Sequence, residues 1–343
     1  MLLRLGWAVS LVAFEFLKGG LHLPHLGLWL DAHQRRPRPD RVFVSHAHSD
    51  HTARHEEVIL SAPTAKLMQA RLGGSRSEFI LNYREPRQFS HAGNKFQVTL
   101  LPAGHIFGSA MVLVEAGGES LLYTGDFKLR PSLSAEHCEP RHADVLIMET
   151  TFGRPQYVFP PSAETMQSVV RFCCETLDRG ETAMLLGYSL GKSQELLHGL
   201  NGAGLPLMLH AAIEKMTRIY EQLGHSFPAY ESYDPHSAPG KVVLCPPNAR
   251  TPALMQRLGK VRSAVVTGWA LDRSCRYQYK CDAAFPLSDH ADYPELIEFV
   301  RRVQPSKVFT QHGFAADFAQ ALRRLRYDAW ALSENDQLLL ELE

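Results

Sequence analysis

Val42-Phe43-Val44-Ser45-His46-Ala47-His48-Ser49-Asp50-His51 is the stretch on which the reading of this chain turns. Val42 to Val44 are strong strand formers, and four metal-ligand side chains follow within six positions. Alternate side chains of a strand face opposite ways, so an extended run cannot bring all four to one point. The chain must therefore turn at about His46 and let imidazoles and carboxylate converge in a loop at the strand's end. A lone His-x-His pair is usually a solvated loop. His-x-His-x-Asp-His straight after an apolar strand points instead to a metal centre.

Four more polar residues share that context, each closing an apolar run. They are His105 after Leu100-Leu101-Pro102-Ala103-Gly104, Asp126 after Leu121-Leu122-Tyr123-Thr124-Gly125, Glu149 after Leu146-Ile147-Met148, and His312 after Val308-Phe309-Thr310-Gln311. Gly104 and Gly125 allow the backbone to bend where ligands must meet. Three imidazoles (His46, His48, His105) suit one ion; Asp50, His51 and His312 suit a second, with Asp126 able to bridge. Such a donor set favours two zinc ions, with manganese as the substitute. Two cations about 3.5–4 Å apart acidify a water and clamp the oxygens of an in-line phosphoryl displacement. Asp50 is placed to orient that water or take its proton. His290, in Pro286-Leu287-Ser288-Asp289-His290, is the candidate general acid, with Glu149 holding its ring protonated. Asp31, ending Leu28-Trp29-Leu30, is expected to accept a hydrogen bond from a ligand imidazole and fix its orientation.

The 343 residues can bury a substantial core, and a hydrophobic fraction of 45% with 21% charged residues is that of a folded protein. Thirty-six basic against 36 acidic side chains give zero net charge, which argues against a protein that coats nucleic acid through bulk charge. Six cysteines without a Cys-x-x-Cys pair read as reduced thiols, and a cytoplasmic location is expected. The apolar opening, Met1 to Phe14, is too short to span a bilayer and no small-x-small cleavage site follows it. It is read as a first buried strand, and no membrane partner is expected.

Short strands dominate up to about residue 150, with a hairpin at Gly117-Gly118. Strands and helices then alternate, which implies a mostly parallel sheet with helices on its faces. A helix over 160–178, opened by Pro160-Pro161-Ser162 as a capping arrangement, begins that region.

The HAHSDH run, with His105, Asp126 and His312 downstream, resembles the metallo-β-lactamase fold. The α/β region resembles the insert of the β-CASP nucleases, and Gly187-Tyr188-Ser189-Leu190-Gly191-Lys192 is similar to that family's insert signature. The resemblance implies an α/β protein: a metallo-β-lactamase αββα sandwich (residues 1–155 and 284–343) carrying a compact β-CASP domain (156–283). It implies a nuclease, and among the family the chain looks most like the bacterial ligase-associated DNA exonucleases. A histidine at His312 is instead typical of the RNA-acting branch. DNA is thus expected over RNA, with a DNA ligase or helicase as partner by resemblance. An RNA-processing nuclease, or a hydrolase of a small ester or phosphodiester, is the alternative, since fold alone does not set substrate. For substrate contact the candidates are Lys128, Ser189 and Lys192, with Arg35, Arg36, Arg38, Arg41 and Arg130 as further cations. The helix beginning after Gly191 offers its N-terminus to a phosphate. Tyr157, Phe159, Tyr188 and Trp269 are candidate stacking surfaces.

Overall fold

A computed structural model describes residues 10–17 and 19–332. Two sheets packed face to face form its centre. The first has six strands in chain order: Glu15–Leu17, Gly20–Leu23, Leu28–Leu30, Arg41–Phe43, Glu57–Leu60 and Ser77–Ile80. It begins antiparallel and becomes parallel from Leu28–Leu30 onward. The second sheet has seven strands and runs Ala329–Ala331, Lys307–Gln311, Val145–Glu149, Glu119–Tyr123, Ala110–Ala116, Asn94–Pro102, Arg87–His91.

The period of two explains how these sheets stack. Phe43, Leu100, Leu121 and Ile147 point inward to a shared core between the sheets. Their neighbours Val42, Val44, Leu101, Leu122, Leu146 and Met148 point outward and are buried too. Such continuous apolar runs mark strands covered on both faces. Helices Tyr293–Val303 and Ala315–Arg324 cover the second sheet through Leu296, Phe299, Val300, Phe318 and Leu322. Helix Ala62–Leu72 covers the first, capped by Ser61, whose hydroxyl accepts from the Thr64 amide, and closed by Gly73. The order helix, sheet, sheet, helix is the expected αββα sandwich.

The third sheet belongs to the inserted region. Its six strands, Tyr230–Ser232, Leu207–Leu209, Val242–Cys245, Thr182–Leu186, Val261–Val266 and Ala283–Phe285, are all parallel. Apolar clusters cover both of its faces. The division expected between residues 283 and 284 falls inside the last of these strands, so this sheet extends to Phe285.

Two local expectations need correction, and one strand was missed. Residues 10–14 form no strand: Val12 is buried against the inter-sheet core and Phe14 meets Phe309 edge-on, but this packing involves no pairing, and residues 1–9 of the expected strand lie outside the described residues. Helix Ser162–Asp178 starts at Ser162 itself, so that hydroxyl lies within the helix and caps nothing. Strand Arg87–His91 went unread; its hairpin turns on Ala92 and Gly93, both at positive φ, where the sequence offers only one glycine as a signal. No helix among the described residues is long and apolar enough to cross a membrane.

Candidate metal centre and catalytic cleft

All the ligand candidates sit where strands of the two central sheets end. The chain leaves Arg41–Phe43 and bends into a short 3-10 turn, Ser49–His51, as the crowding of four ligands requires. His105 follows Asn94–Pro102, Asp126 follows Glu119–Tyr123, and His312 follows Lys307–Gln311. Gly125 has φ of 53°, and a side chain there would meet Ser45 Cβ at 2.5 Å. Only glycine lets the Asp126 loop approach the His46 loop so closely.

The imidazoles are held by the nitrogen that faces away from the centre. His51 donates from Nδ1 to Asp31 Oδ2 at 2.8 Å, His105 from Nδ1 to the Asp289 carbonyl at 2.9 Å, and His48 from Nε2 to the Leu190 carbonyl at 3.1 Å. His46 Nδ1 meets Ser45 Oγ at 2.9 Å, and that hydroxyl donates onward to Asp31. These acceptors fix the tautomers and leave the inward nitrogens as lone-pair donors. His46 Nε2 and His105 Nε2 then stand 3.0 and 3.2 Å from His48 Nδ1. Three converging imidazole lone pairs fit a cation of the zinc class.

Asp126 joins that set, and the four donor atoms lie within 4.8 Å of one another. Its Oδ2 is 3.5 Å from His46 Nε2, 3.8 Å from His105 Nε2 and 3.3 Å from His51 Nε2. One oxygen thus touches both candidate sets. The second is looser: Asp50 Oδ2 is 3.5 Å from His51 Nε2, and the His312 ring centre lies 6.0 Å from that of His51. His312 sits at φ of 58°, an unusual conformation for a histidine that turns its ring toward the cleft.

The electrostatics sort the histidines by neighbour. Burial, together with the surrounding imidazoles, pushes His46 well below the ordinary value, and burial beside His290 brings His105 down to about 4. Both are neutral near pH 7, as ligands must be. His51 is raised instead, because Asp126, Asp50 and Asp31 outweigh its desolvation. His290 rises to about 10: burial opposes the charge, but Glu149 and then Asp126 overcome it. Its Nδ1–H donates to Glu149 Oε1 at 2.8 Å, and that fully buried carboxylate also accepts from the Phe127 and Thr151 amides.

Asp31 does more than expected. It accepts from the Ser45 amide at 2.7 Å, the Ser45 hydroxyl at 2.6 Å, His51, and the Tyr123 hydroxyl at 2.9 Å. Sequence reading missed Ser45 and Tyr123, although both adjoin residues it had singled out. It also missed the Leu190 and Asp289 carbonyls, which no side-chain pattern can announce.

The expected substrate contacts divide. Ser189, Tyr188 and Trp269 line a cleft of about 1090 Å³ together with Asp50, Asp126, His290 and His312. Lys128 and Lys192 do not reach it as free cations. Both are buried, Lys128 Nζ against Glu195 at 2.7 Å and Lys192 Nζ against Asp289 at 3.2 Å. The first turn of helix Lys192–Gly199 is buried as well, and Gln194 accepts the Gly191 amide, so this terminus is closed to a phosphate. Arg35, Arg38 and Arg41 pair with Glu56 or Glu57, Arg130 pairs with Asp292 and Glu295, and Arg36 lies 3.5 Å over the Trp29 ring. Tyr157 and Phe159 pack with Phe152 and Phe314 in a buried cluster.

Fold and site together define a metallo-β-lactamase-type sandwich with an α/β insert and a candidate metal centre. Residues 20–166 match the metallo-beta-lactamase superfamily, and residues 280–332 match the Zn-dependent metallo-hydrolase RNA specificity domain. The chain belongs to the metallo-β-lactamase superfamily, in its β-CASP family, whose members are metal-dependent nucleases. Among its relatives is a probable DNA ligase of Opitutus terrae, 53% identical over 94% of this chain and 31% of that protein. An RNase J-like protein of Methanocaldococcus jannaschii is 29% identical over 47% of this chain and 43% of that protein. The mouse (Mus musculus) DNA cross-link repair 1A protein is 28% identical over 45% of this chain and 16% of its own length. The chain therefore spans less than half of each of these relatives. A crystal structure of an Enterococcus faecalis protein of unknown function shares the fold, with a TM-score of 0.57 at 12% identity over 87% of this chain and 80% of that one.

Proposed function

We propose that the chain is a nuclease that hydrolyses phosphodiester bonds, with DNA as its substrate. The observation that carries this reading is the His290–Glu149 pair, which opens on the same cleft as Asp126 and Asp50. An ester hydrolase of small substrates needs neither an inserted domain nor a buried carboxylate dedicated to keeping one histidine charged.

In this reading His46, His48, His105 and Asp126 would hold one zinc ion, and Asp50, His51, Asp126 and His312 would hold another, with manganese as the substitute. Such ions supply Lewis acidity, which lowers the pKa of a water and offsets phosphate charge. Asp50 takes a proton from the attacking water while the new P–O bond forms. As the opposite P–O bond breaks, His290 gives its Nε2 proton to the departing oxygen, and Glu149 stabilises the ring throughout. Ser189 and the Tyr188 and Trp269 rings, on the insert's side of the cleft, suit a phosphate and an unstacked base.

The choice of DNA is supported by the Opitutus terrae relative, which is named as a probable DNA ligase and contains a region alike over nearly all of this chain. That relative also supports an association with DNA ligation. The second reading, RNA, is favoured by the match of residues 280–332 to an RNA specificity domain and by the RNase J-like relative. The six unpaired cysteines suit action in the cytoplasm. End-labelled single-stranded DNA and RNA, each incubated with zinc or manganese, decide among these. Cleavage of DNA is expected; faster loss of RNA would transfer the assignment to RNA. An absence of cleavage on both would end the nuclease reading.

A further inference from the structure

The insert supplies part of the metal centre's scaffold. His48 is the middle imidazole of the three, with His46 and His105 on either side of its Nδ1. The acceptor that fixes its tautomer is the carbonyl of Leu190, which lies in the turn between strand Thr182–Leu186 and helix Lys192–Gly199. That turn belongs to the insert, 142 residues from His48 in the chain.

Two buried ion pairs hold this turn in place, and they cross between the two bodies. Lys128 of the sandwich reaches Glu195 of the insert, and Lys192 of the insert reaches Asp289 of the returning chain. Glu195 Oε2 also lies 3.9 Å from Lys192 Nζ, which links the two pairs into one network. All four side chains are more than nine-tenths buried. Desolvation makes such charges costly unless paired, so the network tolerates one closed arrangement and few others. The Asp289 carbonyl meanwhile holds His105. Shape enforces the same approach: Gly191, at φ of 87°, sits where a side chain would meet Ile106 Cγ2 at 2.2 Å.

We propose that Lys128, Lys192, Glu195 and Asp289 are positioning residues that lock the insert against the sandwich. The lock keeps the Leu190 carbonyl on His48 and the His46–His48–His105 set ready for its ion. The metal arm of this proposal rests on the reading of that set as a cation site; the tautomer arm does not. Closure of the insert and assembly of the metal centre are then one event.

Two variants reach the lock by different routes. Glu195→Gln leaves Lys128 and Lys192 without their shared carboxylate, and Gly191→Ala pushes the turn off Ile106 without altering charge. In metal-free wild-type protein, ring-nitrogen NMR is expected to find His48 protonated at Nε2 alone. Both variants should move it to mixed tautomers while His51, held by Asp31, stays as it was. In zinc competition against a chelator, each should lose about 10–100-fold in affinity for one of the two equivalents and keep the other. A general loss of structure would weaken both equally. An unchanged His48 tautomer in either folded variant overturns the proposal. If both fail to fold, Lys128→Met/Glu195→Gln, a neutral replacement of one pair, takes their place with the same expected and overturning results. Wild-type protein that binds no zinc, yet shows the tautomer shifts in its variants, would remove the metal reading and leave the lock standing.

Discussion

His290 donates from Nδ1 to Glu149 across 2.8 Å, joining a side chain 22% exposed to the cleft with one that is completely buried. The buried partner also accepts from the Phe127 and Thr151 amides, which fix it in place. An ion pair half sheltered in this way can hold a proton at neutral pH and still present it to a substrate.

Removing His290 should therefore separate chemistry from metal binding. For His290→Ala, turnover is expected to fall by about 10²–10⁴, the usual scale for losing a general acid, while metal content measured by mass spectrometry stays at the wild-type level. Metal loss would mean that His290 is a ligand.

Glu149→Gln tests the proton itself. A general acid works below its pKa, so activity should decline on the alkaline side as His290, whose pKa Glu149 raises, loses its proton. Without the Glu149 charge that limb should move to lower pH. Linkage has the same sign: the raised pKa stabilises the folded chain fully below about 6.5, and this is lost as pH rises toward 10. The variant should flatten that part of the stability profile in urea titrations.

Asp126 offers one oxygen to both candidate sets, so Asp126→Ala should abolish cleavage and lower the bound metal below one equivalent. Retention of two equivalents would remove its bridging role.

At Asp31 the expected loss is mainly structural. Asp31→Ala strands four donors, those of the Ser45 amide and hydroxyl, Tyr123 and His51. Each buried unsatisfied group costs about 1–3 kcal/mol, so unfolding in urea should register a loss of at least about 3 kcal/mol. Metal affinity should fall about 10–100-fold as His51 loses its anchor.

Much of this was legible because it is written in side chains at strand ends. An apolar run that stops at a histidine or carboxylate gave His46, His48, His51, His105, Asp126 and His312 before any fold was known. The Glu149–His290 hydrogen bond was also expected, Glu149 as the close of an apolar run and His290 as the remaining candidate acid, 141 positions further along the chain. What failed were statements about exposure. Lys128 and Lys192 look like phosphate contacts in a linear sequence, yet each meets its acid only after the insert closes on the sandwich. Arg35, Arg38 and Arg41 are likewise paired by Glu56 and Glu57, which sequence places well downstream of them. Backbone acceptors such as Leu190 leave no trace in composition at all. Edge strands such as Ser77–Ile80, half exposed and unevenly patterned, fell below the signal for the same reason: little of their burial is dictated locally.

The interruption of the sandwich by the insert also sets an order in time. A growing chain makes His46, His48, His51, His105, Asp126 and Glu149 early, all from the first two sheets. His290 and His312 emerge only after the whole third sheet has been synthesised and can fold as a unit. A nascent chain thus has ligands but no acid, and the Leu190 carbonyl arrives before the proton donor does. If the chain is the nuclease proposed above, cleavage would be withheld until synthesis has passed the last strand of the insert.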